Sequence, residues 1–262
     1  LTNDYDGCVE FMKGLLDEFV NGYDGNPPVI IDEIDAIHLG MDEYTYDRAK
    51  YKEYMKEICD YAKSLDKHVL LWSALQTEDF AEELPISSDN ITINYWGDAY
   101  LNGYINNEFQ MISNRSGKLY VVPGGTTTFG DWRDVASIYD SYSATDLSSS
   151  VTLAESSPLV IGIEGAIWHH ANVGASKEGI FARVRDQMLL VSEKAWYGKA
   201  EGVTGEEFEA RLRNLQNLVP VVNPQSYVSS NEDGVIAEYD FGDIENNVIK
   251  DTANGYDGAL NG

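Results

Sequence analysis

Two adjacent carboxylates, Asp42 and Glu43, follow an apolar segment that ends in His38-Leu39-Gly40-Met41. Acidic pairs are ordinarily solvated, and this chain carries 44 Asp and Glu against 18 Lys and Arg, so adjacency alone means little. The setting separates this pair from the rest. Two carboxylates held close in a partly desolvated cleft do not both ionise easily, so one acquires a raised pKa and can donate a proton near neutrality. Further along, other apolar runs end in or contain aromatic side chains. Trp72 closes His68–Trp72, Trp96 closes Ile91–Trp96, Tyr120 lies in Leu119–Val122, and Trp168 closes Leu159–Trp168 just before His169-His170. Aromatic faces stack on the C–H faces of a sugar ring, while carboxylates serve its hydroxyls and glycosidic oxygen. The chemistry expected of this set is acid–base work in a carbohydrate pocket.

Such a pocket requires elements that bring the five segments to one place. Short apolar runs alternating with helical periodicity predict parallel strands covered by helices, an α/β fold. In parallel α/β barrels the carboxyl ends of the strands and the loops after them build the site. Five strands are expected, at Ile34–Leu39, His68–Trp72, Ile91–Trp96, Leu119–Val122 and Leu159–Trp168. Helical spacing of Val9, Met12, Leu15, Leu16 and Phe19 stops at Asn21-Gly22, and a second stripe (Tyr51, Met55, Ile58, Ala62, Leu65) runs within Thr45–Leu65. A third helix is expected over Lys177–Trp196. Thr204 with Glu207 forms a capping box before Phe208, Leu212 and Leu215. Pro220 and Pro224 mark a linker, Val235–Phe241 alternates as a strand does, and Asp251–Gly262 is rich in turn residues. The expected division is therefore 1–200, 201–224 (helix and linker), and 225–262 as the start of a β-type module.

Composition narrows the function. A formal charge of −26 and a pI near 4.2 argue against nucleic acid and anionic lipid as partners. No apolar run approaches the roughly 20 residues of a bilayer span, so no membrane insertion is expected. Cys8 and Cys59 form no Cys-x-x-Cys pair and read as free thiols. The four histidines make no His-Glu-x-x-His pattern, so neither a metal nor another cofactor is expected. The sequence leaves the oligomeric state open.

His38-Leu39-Gly40-Met41-Asp42-Glu43 resembles the His-x-Gly-Gly-Asp-Glu signature of glycoside hydrolase family 20, the β-N-acetylhexosaminidases and lacto-N-biosidases. The resemblance continues in order through Leu70-Leu71-Trp72, Ile91–Trp96, Leu119-Tyr120-Val121-Val122-Pro123-Gly124, Gly165-Ala166-Ile167-Trp168 and Glu193-Lys194-Ala195-Trp196-Tyr197. It implies a (β/α)8 barrel and a retaining, substrate-assisted hydrolysis of terminal β-linked N-acetylhexosamine from glycans. In that mechanism the sugar's own 2-acetamido oxygen attacks the anomeric carbon to give an oxazolinium. By this resemblance Glu43 is the general acid and then the base, Asp42 orients the acetamido N–H, and Tyr120 donates to the acetamido oxygen. Trp72, Trp96 and Trp168 wall the pocket, and His38 supports the acidic pair from behind.

The departures bear on substrate choice. Met41 stands where the signature has its second Gly. Val122 and His170 stand where many members carry acids that hold the far hydroxyls of the terminal sugar. The Tyr-Val-Val-Pro-Gly run is similar to the lacto-N-biosidase branch, so release of a disaccharide is the alternative activity; a non-catalytic carbohydrate-binding relative is the alternative of another class. Five strand candidates stand against the eight of the family barrel, and they resemble its fourth to eighth. The tail from Val235, with Tyr239-Asp240-Phe241 and Asn254-Gly255-Tyr256-Asp257-Gly258, resembles the opening of a concanavalin-like sandwich. Together these features imply an interior piece of a larger, extracellular or cell-surface, multi-module glycosidase that is inactive by itself.

Overall fold

The computed structural model describes residues 1, 3–30, 34–75, 84–97, 100–168, 176–218, 237–245, 248–253 and 257–259. The Asp4 carboxylate accepts the N–H of Gly7 at 3.0 Å to open α1 (Tyr5–Asn21), and Gly22 closes it by donating to the Glu18 carbonyl at 3.0 Å. After β1 (Ala36–His38), the Asp47 carboxylate caps α2 (Arg48–Ser64) through the N–H of Lys50. Four of the five residues of the predicted α2 stripe, Tyr51, Met55, Ile58 and Ala62, are buried and face the sheet, joined by Cys59, while Leu65 lies just past the helix and is half-buried. Then follow β2 (His68–Trp72), β3 (Ile91–Tyr95), α3 (Leu101–Asn106), β4 (Gln110–Ser113), the short α4 (Ser116–Leu119) and β5 (Tyr120–Val121). The barrel-like part finishes with α5 (Val135–Ser141), β6 (Val160–Ile163), β7 (Ala166–Ile167), α6 (Lys177–Trp196) and α7 (Gly205–Leu218).

Five strands form one sheet in the order β1-β2-β3-β4-β6, with every neighbouring pair parallel. On β2 the alternation is plain: Val69 and Leu71 are fully buried toward the helices, while His68, Leu70 and Trp72 on the other face are half-buried. Ile91, Ile93 and Tyr95 join Val69 and Leu71 in the larger core with α1, α2 and α3. Thr92 and Asn94 therefore share a face with Leu70 and Trp72, their register partners. A second core gathers Val135, Ile138 and Tyr139 of α5, Leu190 of α6, and Phe208 and Leu212 of α7. The Tyr139 and Phe208 rings stack there at 4.3 Å. The capping box closes as expected, with Thr204 N donating to Glu207 Oε2 at 2.9 Å and Glu207 N to Thr204 Oγ1 at 3.2 Å. Leu215, expected on the same stripe, is half-exposed.

The sheet has the expected α/β character but not the expected strand list. Leu119–Val122 contributes no strand to it: Leu119 ends α4, and Tyr120–Val121 pairs with Ala166–Ile167 in a separate two-stranded parallel ladder. The fourth strand is instead Gln110–Ser113, where only Met111 and Ile112 are apolar and no periodicity can register. The run Leu159–Trp168 is two strands, β6 and β7, divided at Glu164-Gly165. Near the carboxyl end, β8 (Tyr239–Glu245), β9 (Val248–Asp251) and β10 (Gly258–Ala259) form an antiparallel sheet ordered β10-β9-β8. Both cysteines are free, Cys8 half-buried and Cys59 buried, where desolvation pushes the Cys59 thiol up to about 12. Among the described residues no helix is long and apolar enough to cross a membrane.

Candidate active site

The acidic pair sits just beyond the carboxyl end of β1, where two consecutive residues turn left-handed: Gly40 at φ 74° and Met41 at φ 70°. An L-residue pays roughly 1–2 kcal/mol for that conformation, a cost that a glycine at position 41 would avoid. Neighbouring contacts hold the turn. The Tyr51 hydroxyl of α2 donates to the Met41 carbonyl, Trp72 N donates to the Gly40 carbonyl at 3.0 Å, and Met41 packs against the larger core. His38 Nδ1 accepts the N–H of Gly40 at 3.0 Å, which places the ring proton on Nε2. Desolvation lowers the His38 pKa and keeps the imidazole neutral. Glu43, at φ 56°, donates its N–H to the Ala74 carbonyl at 3.0 Å. The pair is thus fastened to the ends of both β1 and β2. Asp42 is half-buried and its pKa is raised, chiefly by burial and further by the neighbouring charge of Glu43; Glu43 itself is exposed.

Aromatic rings continue from this turn across the sheet's carboxyl end. His38 lies 4.7 Å from Trp72, Trp72 lies 5.9 Å from Trp168, Trp168 lies 5.7 Å from Tyr120, and Tyr120 lies 5.5 Å from Phe129, all centroid to centroid. Trp168 reaches this position because its N–H extends the β5–β7 ladder to the Val121 carbonyl at 3.0 Å. Burial pushes the Tyr120 phenol far above its ordinary range, and the carboxylates of Asp42, Glu164 and Glu43 add to the shift. Tyr120 therefore stays a neutral O–H donor and lies close enough to all three acids to feel them. Trp96 leaves β3 with its backbone N–H on Ser73 Oγ at 3.2 Å; its indole N–H is buried without a partner among the described residues, whereas Trp168 bonds the Tyr120 hydroxyl. His170 lies outside the described residues.

Sequence reasoning passed over several residues that build this end of the sheet. Glu164 follows β6 on the inner face, where Asn114 donates to it at 2.9 Å and Asn94 also bonds it; burial nonetheless raises its pKa. A lone carboxylate inside the otherwise apolar run Leu159–Trp168 was the available signal. Arg133 donates Nε–H to the Tyr120 carbonyl and reaches the Gly117 and Ser116 carbonyls at 3.4 and 3.5 Å, tying α4 to β5. The loop after β5 is tied in turn by Asp131, which accepts from Gly124 N at 2.9 Å and pairs with Arg183 of α6, whose guanidinium lies 5.0 Å from the Trp132 ring. Among the described residues no group of three or more His, Cys, Asp or Glu could hold a metal ion.

The chain is similar in structure to the β-N-acetylhexosaminidase from Bacteroides fragilis NCTC 9343, with a TM-score of 0.60 and 18% identity over 81% of this chain and 44% of that one. The GH20 β-N-acetylhexosaminidase from Streptomyces coelicolor A3(2) matches with a TM-score of 0.59 and 16% identity, covering 86% of this chain and 45% of that one. A GH20 exo-β-N-acetylglucosaminidase from Vibrio harveyi, solved with N-acetylglucosamine, matches at 0.58 and 16%, covering 81% and 35%. No family model matches the chain, and no curated protein does. The chain spans less than half the length of these three solved chains. At this identity the likeness is one of architecture: the chain has the parallel α/β fold of part of the barrel found in glycoside hydrolase family 20 β-N-acetylhexosaminidases.

Proposed function

We propose that these residues form the catalytic half of a retaining glycoside hydrolase that releases terminal β-linked N-acetylhexosamine from glycans. The observation that supports this reading best is the convergence of Asp42, Glu43 and Tyr120 at one end of the parallel sheet, beside the ring series His38–Trp72–Trp168–Tyr120. In the proposed mechanism the 2-acetamido oxygen attacks the anomeric carbon while Glu43 protonates the departing oxygen. Glu43 then takes a proton from the water that opens the oxazolinium. Asp42 accepts the acetamido N–H and offsets the charge that develops there, and the Tyr120 hydroxyl donates to the acetamido oxygen. Trp72, Trp96 and Trp168 exclude water from the acetamido group. The activity belongs to a barrel closed by further strands, in a protein we place outside the cell, with the antiparallel β8–β10 sheet opening a separate module.

A disaccharide-releasing activity is the second reading, favoured by Val122. That side chain is fully buried and apolar where many members of the resembled family carry an acid. The test is hydrolysis of a chromogenic β-N-acetylglucosaminide and of a lacto-N-bioside by the polypeptide whose remaining strands close the barrel. Turnover of either, lost in Glu43→Gln, supports glycosidase action, and the preferred substrate separates the two readings. Binding without turnover of both overturns it in favour of a carbohydrate-binding relative.

A further inference from the structure

Asn94, Asn114 and Glu164 lie side by side on the inner face of the sheet. Asn94 pairs with Ile112, Asn114 follows two residues later on the same face, and Ser113 pairs with Ile163, which brings Glu164 beside Asn114. Glu164 N donates to the Ser113 carbonyl at 3.0 Å and continues that register. Both asparagine side chains bond the Glu164 carboxyl, Asn114 through Nδ2 at 2.9 Å. A carboxyl offers oxygens to those N–H groups, so it turns both amides the same way, N–H toward Glu164 and Oδ1 away. Asn94 is 3% exposed and Asn114 0%, and the Oδ1 atoms of both are buried without a hydrogen bond among the described residues. Leaving two buried acceptors unmade is costly. The indole N–H of Trp96, two residues beyond Asn94 on the same face, is also buried without a partner among the described residues. Two buried acceptors on one face of the sheet call for a partner that gives hydrogen bonds.

We propose that Asn94, Asn114 and Glu164 are a polar floor that binds a hydroxyl-bearing group, with Glu164 as the positioning residue that presents both Oδ1 atoms to it. The group is an ordered internal water or a hydroxyl of the bound sugar. A water has two donors for the two carbonyl oxygens, whereas a sugar hydroxyl supplies one. The sugar as source rests on the glycosidase reading; the floor itself does not.

A crystal structure of the polypeptide whose remaining strands close the barrel, without ligand and after soaking in N-acetylglucosamine, tests the floor. An oxygen within hydrogen-bond distance of Asn94 Oδ1 and Asn114 Oδ1 in the ligand-free crystal supports it. Persistence of that oxygen beside bound sugar identifies water as the source, and its replacement by a sugar hydroxyl identifies the ligand. An empty position, or either amide turned with Oδ1 toward Glu164, overturns the proposal. Glu164→Gln offers the amides a donor as well as an acceptor and lets one of them flip. The expected result is loss of the ordered oxygen and about ten-fold weaker N-acetylglucosamine binding in a variant that remains folded. An unchanged oxygen in that variant overturns the positioning role. If N-acetylglucosamine does not bind the unsubstituted closed-barrel polypeptide, the sugar reading fails while the ligand-free crystal still decides the floor.

Discussion

Glu43 and Ala74 are joined backbone to backbone, N–H to carbonyl at 3.0 Å, and both stand in the left-handed region, at φ 56° and 62°. Position 74 is thus a conformational constraint on the acid, exerted through the backbone. Ala74 is buried, so Ala74→Val meets two penalties: a β-branched residue in a left-handed conformation and extra volume in a filled site. The expected loss is about 2–4 kcal/mol of stability by denaturant unfolding. Ala74→Gly relieves the conformation and is expected to stay within about 1 kcal/mol of the parent. In the closed barrel the valine variant is also expected to lose turnover, because it displaces the Glu43 amide; full turnover there would separate the Glu43–Ala74 bond from catalysis.

Asp42 makes a prediction whose sign follows from burial. Its folded-state pKa lies above the unfolded value, so ionisation destabilises the folded chain. Its contribution is most favourable below the unfolded value, about 3.9, and is lost as pH rises through the folded one. Asp42→Asn removes that ionisation. The variant is expected to melt above the parent at pH 7 and to lose the advantage as pH falls toward 4. A stability gap that does not narrow on acidification would show that Asp42 is charged at no net cost.

Arg183 and Asp131 meet through two nitrogens, Nε on Oδ1 and NH2 on Oδ2, and the pairing holds the Asp131 pKa below the ordinary value. Here the sign is opposite. The contribution is present above the unfolded value, about 3.9, and is lost as pH falls through the lowered folded value. The loop fixed by this pair carries Phe129 against Tyr120. Arg183→Lys keeps the charge but not the planar fork, so it is expected to recover less than half of the roughly 1 kcal/mol lost in Arg183→Ala. Faster amide exchange at Gly124 and Phe129 in both variants is the measurement that checks it.

The parts of this molecule that were legible in the sequence share a cause: a local pattern long enough to register. The α2 stripe, the Thr204–Glu207 capping box and the bounds of α6 all rest on spacing along one helix. The acidic pair stood out because an apolar strand led directly into it. Gln110–Ser113 was not legible, since a four-residue strand with two apolar residues has no measurable period, and only pairing with β3 and β6 defines it. Tyr120 was found for its position in an apolar run, yet that run is not a strand of the main sheet. Glu164 was missed because its meaning comes from Asn94 and Asn114, which are 70 and 50 positions away and reach it only through the register of three strands.

Gly205 sets intrinsic propensity against packing in a way that one substitution can decide. It is the first residue of α7, where replacing glycine by alanine ordinarily favours a helix by up to about 1 kcal/mol. Here a Cβ would lie 2.1 Å from the Ala136 carbonyl oxygen of α5 and 2.8 Å from Asp140 Oδ2, which accepts the Gly205 N–H at 3.0 Å. Asp140 is already committed to Lys199 at 2.7 Å, and the obstructing oxygen of Ala136 is backbone, so neither can simply step aside. The two helices must separate, which also loosens the Tyr139–Phe208 stack between them. Overpacking of this kind costs about 1–3 kcal/mol and exceeds the propensity gain. Gly205→Ala is therefore expected to lower stability by about 1–2 kcal/mol in denaturant unfolding. Stabilisation would mean that α5 and α7 do not approach as closely as this contact requires.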